Sequence, residues 1–166
     1  MTAQELMSRP VYTCQPDTDL AAVTEIMWQR DCGFVPVVTA TGTLVGVITD
    51  RDICVAAATR GLRPEEIYAS QAMTTALHSC LPQDRIDDVL SAMKRYQVRR
   101  LPVVDDAGEI KGVVSMTDVA RVSDTQGGPS ASSVVAALTA ISEPRDRSLT
   151  EQEEASRDSI AYSTPS

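Results

Sequence analysis

Two stretches of the chain put a hydroxyl and a carboxylate three residues apart at the end of an apolar run. GVITDRD covers Gly46–Asp52, and GVVSMTD covers Gly112–Asp118, sixty-six residues further on. Thr49 with Asp52, and Ser115 with Asp118, fit a capping box. In that motif the hydroxyl binds the amide three residues on, and the acid reaches back while favouring the positive end of the helix dipole. The same grouping suits a second chemistry. A strand that hands over to a helix leaves backbone N–H groups facing outward, which favours an anion. There the hydroxyl can bind a phosphate oxygen. The carboxylate can accept from two hydroxyls at once, as a ribose presents them. Gly46 and Gly112, just upstream, let a backbone approach closely. A lone S/T-x-x-D is most often only a cap, but the two readings are compatible.

The doubling extends well beyond these motifs. With Met7–Cys54 laid over Met73–Ala120 without a gap, Cys14 meets Cys80, Pro16 meets Pro82, Val23 meets Val89 and Met27 meets Met93. FVPVV at Phe34–Val38 meets RLPVV at Arg100–Val104, and Gly42 meets Gly108. Matches in one register over a whole unit mean two copies of one structure. Each copy reads β-α-β-β-α. Short extended segments are expected at Val11–Cys14 and Leu77–Cys80. A helix follows, started by Pro16–Asp19 or by Pro82–Asp84, with Leu20, Val23, Ile26 and Met27, or Ile86, Val89, Leu90 and Met93, at helical spacing. A hairpin then turns at Thr41-Gly42 or Ala107-Gly108, and a second helix starts at Thr49 or Ser115. The first of these helices is expected to stop near Gly61.

The fold class is therefore α/β in composition (α+β), with two tandem units packed as a pseudo-symmetric pair. One unit alone buries too little surface to be secure, so a core shared through the sheets is expected. The boundaries expected from the pattern are 1–62 for the first unit, 63–72 for a linker with a short helix from Pro64, and 73–125 for the second unit. Residues 126–142 read as a Gly-Pro linker and a Ser-capped amphipathic helix carrying Val134, Val135, Leu138 and Ile141. Residues 143–166 are polar and aperiodic and read as a disordered tail.

Composition narrows the function classes. The chain has 166 residues and a formal net charge of -8, which disfavours a duplex-binding surface, and its 4% aromatic content leaves few stacking platforms for single strands. No run approaches a membrane span, and MTAQELMSRP lacks the pattern of a secretory leader, so a cytoplasmic location is expected. His78 is the single histidine, and Cys14, Cys32, Cys54 and Cys80 include no CxxC pair, so no metal site is expected. Free thiols are the expectation, with Cys14 and Cys80 as small buried side chains.

The paired units resemble a CBS-domain tandem, the cystathionine beta-synthase-type domain pair. The resemblance covers Met7 to about Val122 and rests on GVITDRD and GVVSMTD, FVPVV and RLPVV, the V-x-x-x-M helices and the element order. It implies a stand-alone regulatory module that binds an adenosine-containing ligand, AMP, ADP or ATP above others, or S-adenosylmethionine or NAD, in clefts between the units. No cofactor is required for such a role. By matching position, Thr49 and Asp52 would serve one cleft and Ser115 and Asp118 the other, with the acid on the ribose. Phe34, Val35 and Pro36, and Arg100, Leu101 and Pro102, would line the base pockets largely through backbone. Thr13 and Ser79 would close them. Arg99 and Arg100, with Lys94 and Arg95 nearby, offer guanidinium groups to phosphates at the second cleft, where the first has Gly33 and Phe34. The resemblance also implies a homodimer and an unidentified protein target, while charge and hydropathy lead to the expectation of no nucleic acid and no membrane insertion.

Two other functions fit the residues. One is a ligand-free scaffold for dimerisation or for docking a transporter or enzyme. The other is a redox sensor using Cys32 or Cys54, though neither has a resolving partner in sequence. An enzyme is not expected: there is no nucleophile–base pair, P-loop or dinucleotide-binding fingerprint.

Overall fold

The structure is a computed structural model that describes residues 1–144. The elements of the first repeat are α1 (Ala3–Leu6), α2 (Leu20–Gln29), β1 (Phe34–Val38), β2 (Leu44–Thr49) and α3 (Asp50–Arg60). A 3-10 turn at Pro64–Glu66 leads to α4 (Ala69–Ala72), α5 (Ile86–Tyr96), β3 (Arg100–Val104), β4 (Ile110–Ser115) and α6 (Met116–Arg121). The last described helix is α7 (Ala131–Ser142). The α+β class and the repeated order match the sequence reading, and the repeat reaches further: α1 and α4 stand at equivalent positions.

Each hairpin is antiparallel with the same register and the same irregularity. Phe34 faces Thr49 and Arg100 faces Ser115, and the ladder slips between Val37 and Val38, and again between Val103 and Val104. The expected first strands shrink to single parallel bridges, Cys14 to Val37 and Cys80 to Val103. After Cys14 the chain turns at once, with the Thr18 amide donating to the Gln15 carbonyl at 3.0 Å. These bridges explain the prolines. Cys14 donates to the Pro36 carbonyl at 3.1 Å and accepts from the Val38 amide at 2.9 Å, so the ladder never calls on a Pro36 N–H.

Helix starts follow the polar signals unevenly. Asp19 caps α2 by accepting from the Ala22 amide at 2.8 Å. In the second repeat Asp84 accepts from the Leu81 amide instead, and Arg85 takes the N-cap position without a side-chain bond. α3 ends at Gly61, as expected.

Core membership departs from the expected boundaries. Among the described residues there are two buried clusters, not one shared core. Ile67 and Ala69, read as linker, lie in the first cluster with Leu20, Val23, Val35 and Ile48. Ala3 and Met7, read with the first unit, lie in the second cluster with Ile86, Val89, Met93 and Leu101. The reason is the free outer edge of each hairpin, which needs a partner. Thr74 pairs with Val47 on β2, and Ser8 pairs with Val113 on β4. Each unit is thus closed by the segment that precedes the other. The hairpin tips also bond across the pair, Leu44 to the Gly108 carbonyl at 3.0 Å and Ile110 to the Gly42 carbonyl at 3.3 Å.

α7 packs on α5 and α6 and joins the second cluster through Val134, Ala137 and Ile141. Val135 and Leu138, expected on its apolar face, are exposed, because the helix is apolar on more than one side. Ser130 caps it, accepting from the Ser133 amide at 3.1 Å. Most of the expected tail lies outside the described residues.

Candidate functional site

The two candidate motifs fold alike. Each sits where the second strand of a hairpin passes straight into a helix. Thr49 Oγ1 accepts from the Asp52 amide at 3.3 Å, and Asp52 Oδ2 accepts from the Thr49 amide at 2.8 Å and from its hydroxyl at 2.7 Å. Ser115 and Asp118 repeat this, with the Ser115 hydroxyl 2.6 Å and its amide 2.9 Å from Asp118 Oδ2. The capping reading is therefore real in both copies. It also reduces the open amides expected there. At α3 the Arg51 amide bonds Asp50 Oδ1 at 2.8 Å, and at α6 the Met116 amide bonds the Arg99 carbonyl at 2.9 Å. What remains for a ligand is the second carboxylate oxygen of each pair, Oδ1, which in Asp118 also lies 3.9 Å from the Arg121 guanidinium. An ionised carboxylate has about four acceptor sites, so the cap leaves room for ribose hydroxyls.

The hairpin register brings further candidates to the motif. Phe34, half-buried, lies directly across from Thr49. Arg100, exposed, lies across from Ser115, with Arg99 beside it. Neither arginine is in an ion pair among the described residues. Val35 and Leu101 are fully buried in the two cores, and Pro36 and Pro102 are buried too, so only their main chain can face a ligand. Thr13 is half-buried and Ser79 exposed, each next to the cysteine that bridges to the central strand.

A structural pair escaped the sequence reading. The Arg30 guanidinium lies over the Tyr12 ring at 4.1 Å. In the second repeat the equivalent positions hold His78 and Tyr96, stacked at 3.7 Å between centroids and 7° between planes. Both pairs tie the residue before Thr13 or Ser79 to the end of the helix that follows, α2 or α5. Sequence alignment of the repeats puts these positions in register, but their chemistry differs, so no shared residue type signalled them.

Gly46 and Gly112 serve packing. A Cβ at Gly46 would meet the Met73 side chain, and one at Gly112 would meet Met7. The close approach is that of a methionine from the edge segment, laid across the hairpin.

A profile for the CBS domain matches residues 3–58 and again 67–124. The chain belongs to the CBS domain family. The CBS domain-containing protein YhcV of Bacillus subtilis is 33% identical over 119 residues, which cover 72% of this chain and 83% of YhcV. Among solved structures, Hypoxic Response Protein I with two coordinated zinc ions is 29% identical with a TM-score of 0.67, covering 73% of this chain and 98% of that one. A protein of that name is found in Mycobacterium tuberculosis. The CBS domain pair of protein MJ0100, in complex with 5′-methylthioadenosine and S-adenosyl-L-methionine, is 27% identical with a TM-score of 0.65, covering 74% of this chain and 94% of that one. In the present CBS pair no group of three or more His, Cys, Asp or Glu is arranged for a metal among the described residues. No helix among them is long and apolar enough to cross a membrane.

The four thiols of this CBS pair divide by exposure. Cys54 is exposed, Cys32 is half-buried, and Cys14 and Cys80 are buried. Burial pushes Cys14 up to about 11. Burial first, then the charge of Asp84, pushes Cys80 up to about 12. Both therefore hold their protons more tightly folded than unfolded, and their contribution to stability is intact below the ordinary thiol value of 9.0. Stability is expected to fall as pH rises from about 9 toward 11, read as a lower urea midpoint. A midpoint that holds flat over that range would contradict the burial argument. In the native state a thiol reagent at mild pH should label Cys54 first and spare Cys14 and Cys80 until unfolding.

Proposed function

We propose that this CBS pair is a regulatory module that binds an adenosine-containing ligand through its two strand-to-helix junctions. The observation that carries the reading is the doubled geometry: in both repeats one carboxylate oxygen is locked by the cap, so the other is aimed in advance. The ligand complex of the MJ0100 pair supports the chemical class. Asp52 and Asp118 would hold the ribose hydroxyls, and Thr13 and Ser79 would flank the base. Arg99 and Arg100 would take phosphates, because forked guanidinium groups match phosphate oxygens. A phosphate-rich ligand is thereby directed to the second junction, since the equivalent positions of the first are Gly33 and Phe34. The module signals by binding ligand better in one arrangement than in another, acts in regulation rather than catalysis, and pairs with a second copy.

A thermal-shift series on the full chain tests this, with AMP, ADP, ATP, S-adenosylmethionine and NAD at millimolar concentration. At a ligand level of 100 times Kd the native state gains about 2.7 kcal/mol. An adenine nucleotide should raise the Tm, and the rise should vanish in Asp118→Ala and shrink in Arg100→Ala. Each variant is compared with and without ligand, which separates binding from the loss of the cap. If no ligand shifts the wild type, the ligand-free scaffold becomes the better reading.

A further inference from the structure

The charges beside the two junctions differ. In the second repeat Lys94, Arg95, Arg99 and Arg100 are all exposed, and none is in an ion pair among the described residues. Arg95 lies over the Tyr96 ring at 5.5 Å, a contact that leaves its charge in place. The counterparts in the first repeat are Trp28, Gln29, Gly33 and Phe34, with no charge among them. Like charges so close together repel one another, and an anion that bridges them relieves the repulsion.

α7 delivers the chain that follows it to this patch. Its body is held in the second cluster by Val134, Ala137 and Ile141. Its end is fastened to the α5–β3 loop, where Gln97 Nε2 donates to the carbonyl of Ala140 at 3.2 Å and of Glu143 at 3.4 Å. Arg100 is three residues beyond Gln97, so its Cα is within about 11 Å of that anchor. The chain therefore leaves α7 at the rim of the second junction. Eight residues after Glu143 it reaches Glu151, Glu153 and Glu154, and nowhere else in the chain do three acids fall within four residues. Eight residues can span about 29 Å, more than the path to Arg99 and Arg100 requires.

We infer that the acidic run Glu151–Glu154 docks on Arg99 and Arg100 of its own chain and competes there with the phosphates of a ligand. This rests on the reading that these arginines take phosphates at the second junction. The chemistry is shared: a guanidinium fork takes two oxygens of a carboxylate or of a phosphate in the same geometry. The source is decided by the tether. A segment anchored this close meets the patch at an effective concentration of about a millimolar, which a separate acidic peptide would have to match. A ligand that carries phosphates then releases the run, and linkage requires that the run weakens such a ligand by the same factor. An adenosine ligand without phosphates is indifferent to it.

Digestion of the full chain with a glutamate-specific protease tests the docking without any nucleotide. Cleavage after Glu151, Glu153 and Glu154 should be about fivefold faster in the double variant Arg99→Gln with Arg100→Gln, the scale expected of a few exposed ion pairs. Cleavage at Glu65 and Glu66 serves as the control for folding. Inorganic tripolyphosphate should accelerate cleavage of the run in the wild type and not in that variant. Equal rates in the two proteins overturn the inference. So does protection that grows with protein concentration, which would put the run on another copy. Calorimetry tests the competition. Glu151→Gln with Glu153→Gln and Glu154→Gln should tighten ATP about fivefold and leave adenosine unchanged, and an unchanged ATP affinity overturns the inference. A run protected by the arginines in a chain that binds neither ATP nor adenosine would keep the docking and sink the ligand reading. Binding of both, with cleavage indifferent to the arginines, would do the reverse.

Discussion

Removing residues 1–8 will unfold the second repeat while the first remains folded. The segment looks like a leader to the first unit, yet its side chains and its backbone belong to the second. Ala3 is 0% and Met7 8% exposed, both within the second cluster. Full burial of a methionine side chain contributes about 2–3 kcal/mol. Four backbone hydrogen bonds accompany it: Ala3 to the Asp84 carbonyl, Gln4 to Pro82, Ile86 to Met1 and Ser8 to Val113, from 2.9 to 3.2 Å. At about 1 kcal/mol net for each, the whole loss is about 6–7 kcal/mol, comparable to the total stability of a small domain. Cys14 is buried in the first cluster and Cys80 in the second, so protection of each thiol from a labelling reagent follows its own unit. In urea the shortened chain should lose protection at Cys80 at a lower concentration than at Cys14. Coincident transitions at the midpoint of the full chain would refute this account of the cores.

Gly112→Val will destabilise the chain by about 3 kcal/mol, at the upper end of the usual overpacking cost. The ideal Cβ position at residue 112 lies 2.7 Å from Met7 Cβ, an atom too near the backbone to swing away. At Gly46 the corresponding Met73 Cβ is 3.2 Å away, so Gly46→Ala should cost less. The double variant Gly112→Ala with Met7→Ala should recover part of the loss of Gly112→Ala, because the two sites share one contact. Strict additivity in that cycle, measured by urea unfolding, would mean that the glycine is there for another reason. The result bears on function too. A glycine beside a ligand motif invites the reading that a ligand comes close, and here a methionine occupies that space.

Much of the site was legible because its logic is local. A capping box needs only a hydroxyl and an acid three residues apart at a strand-to-helix change, and both copies close as the spacing predicts. The pairing of Phe34 with Thr49 and of Arg100 with Ser115 follows from hairpins whose turns, at Gly42 and Gly108, are marked in the sequence. Less legible was which side of each residue a ligand could reach. Val35 and Leu101 stand beside Phe34 and Arg100 in the ligand reading, and burial assigns their side chains to the cores. The pairs Tyr12–Arg30 and His78–Tyr96 carried no signal, since a stacked contact between different residue types leaves no repeated letter.

The sequence by itself determined the repeat, the element order, the hairpin turns, the caps of α3, α6 and α7, and the family. All of these depend on residues within one turn or one hairpin of each other, or on a register that two copies reveal by comparison. Only the tertiary structure decided which segments complete which core. An edge strand can be filled by any apolar stretch of suitable length, so α1 with Met7 and α4 with Met73 were equally good candidates for either hairpin. The choice depends on where the pseudo-two-fold axis places the chain, and that is a property of the assembled pair. The same holds for α7. Its amphipathic pattern announced a docking helix, but two equivalent helix faces were on offer. The second has Leu90, Val98 and Met116 where the first has Thr24, Cys32 and Asp50, and the more apolar seat is the one it fills.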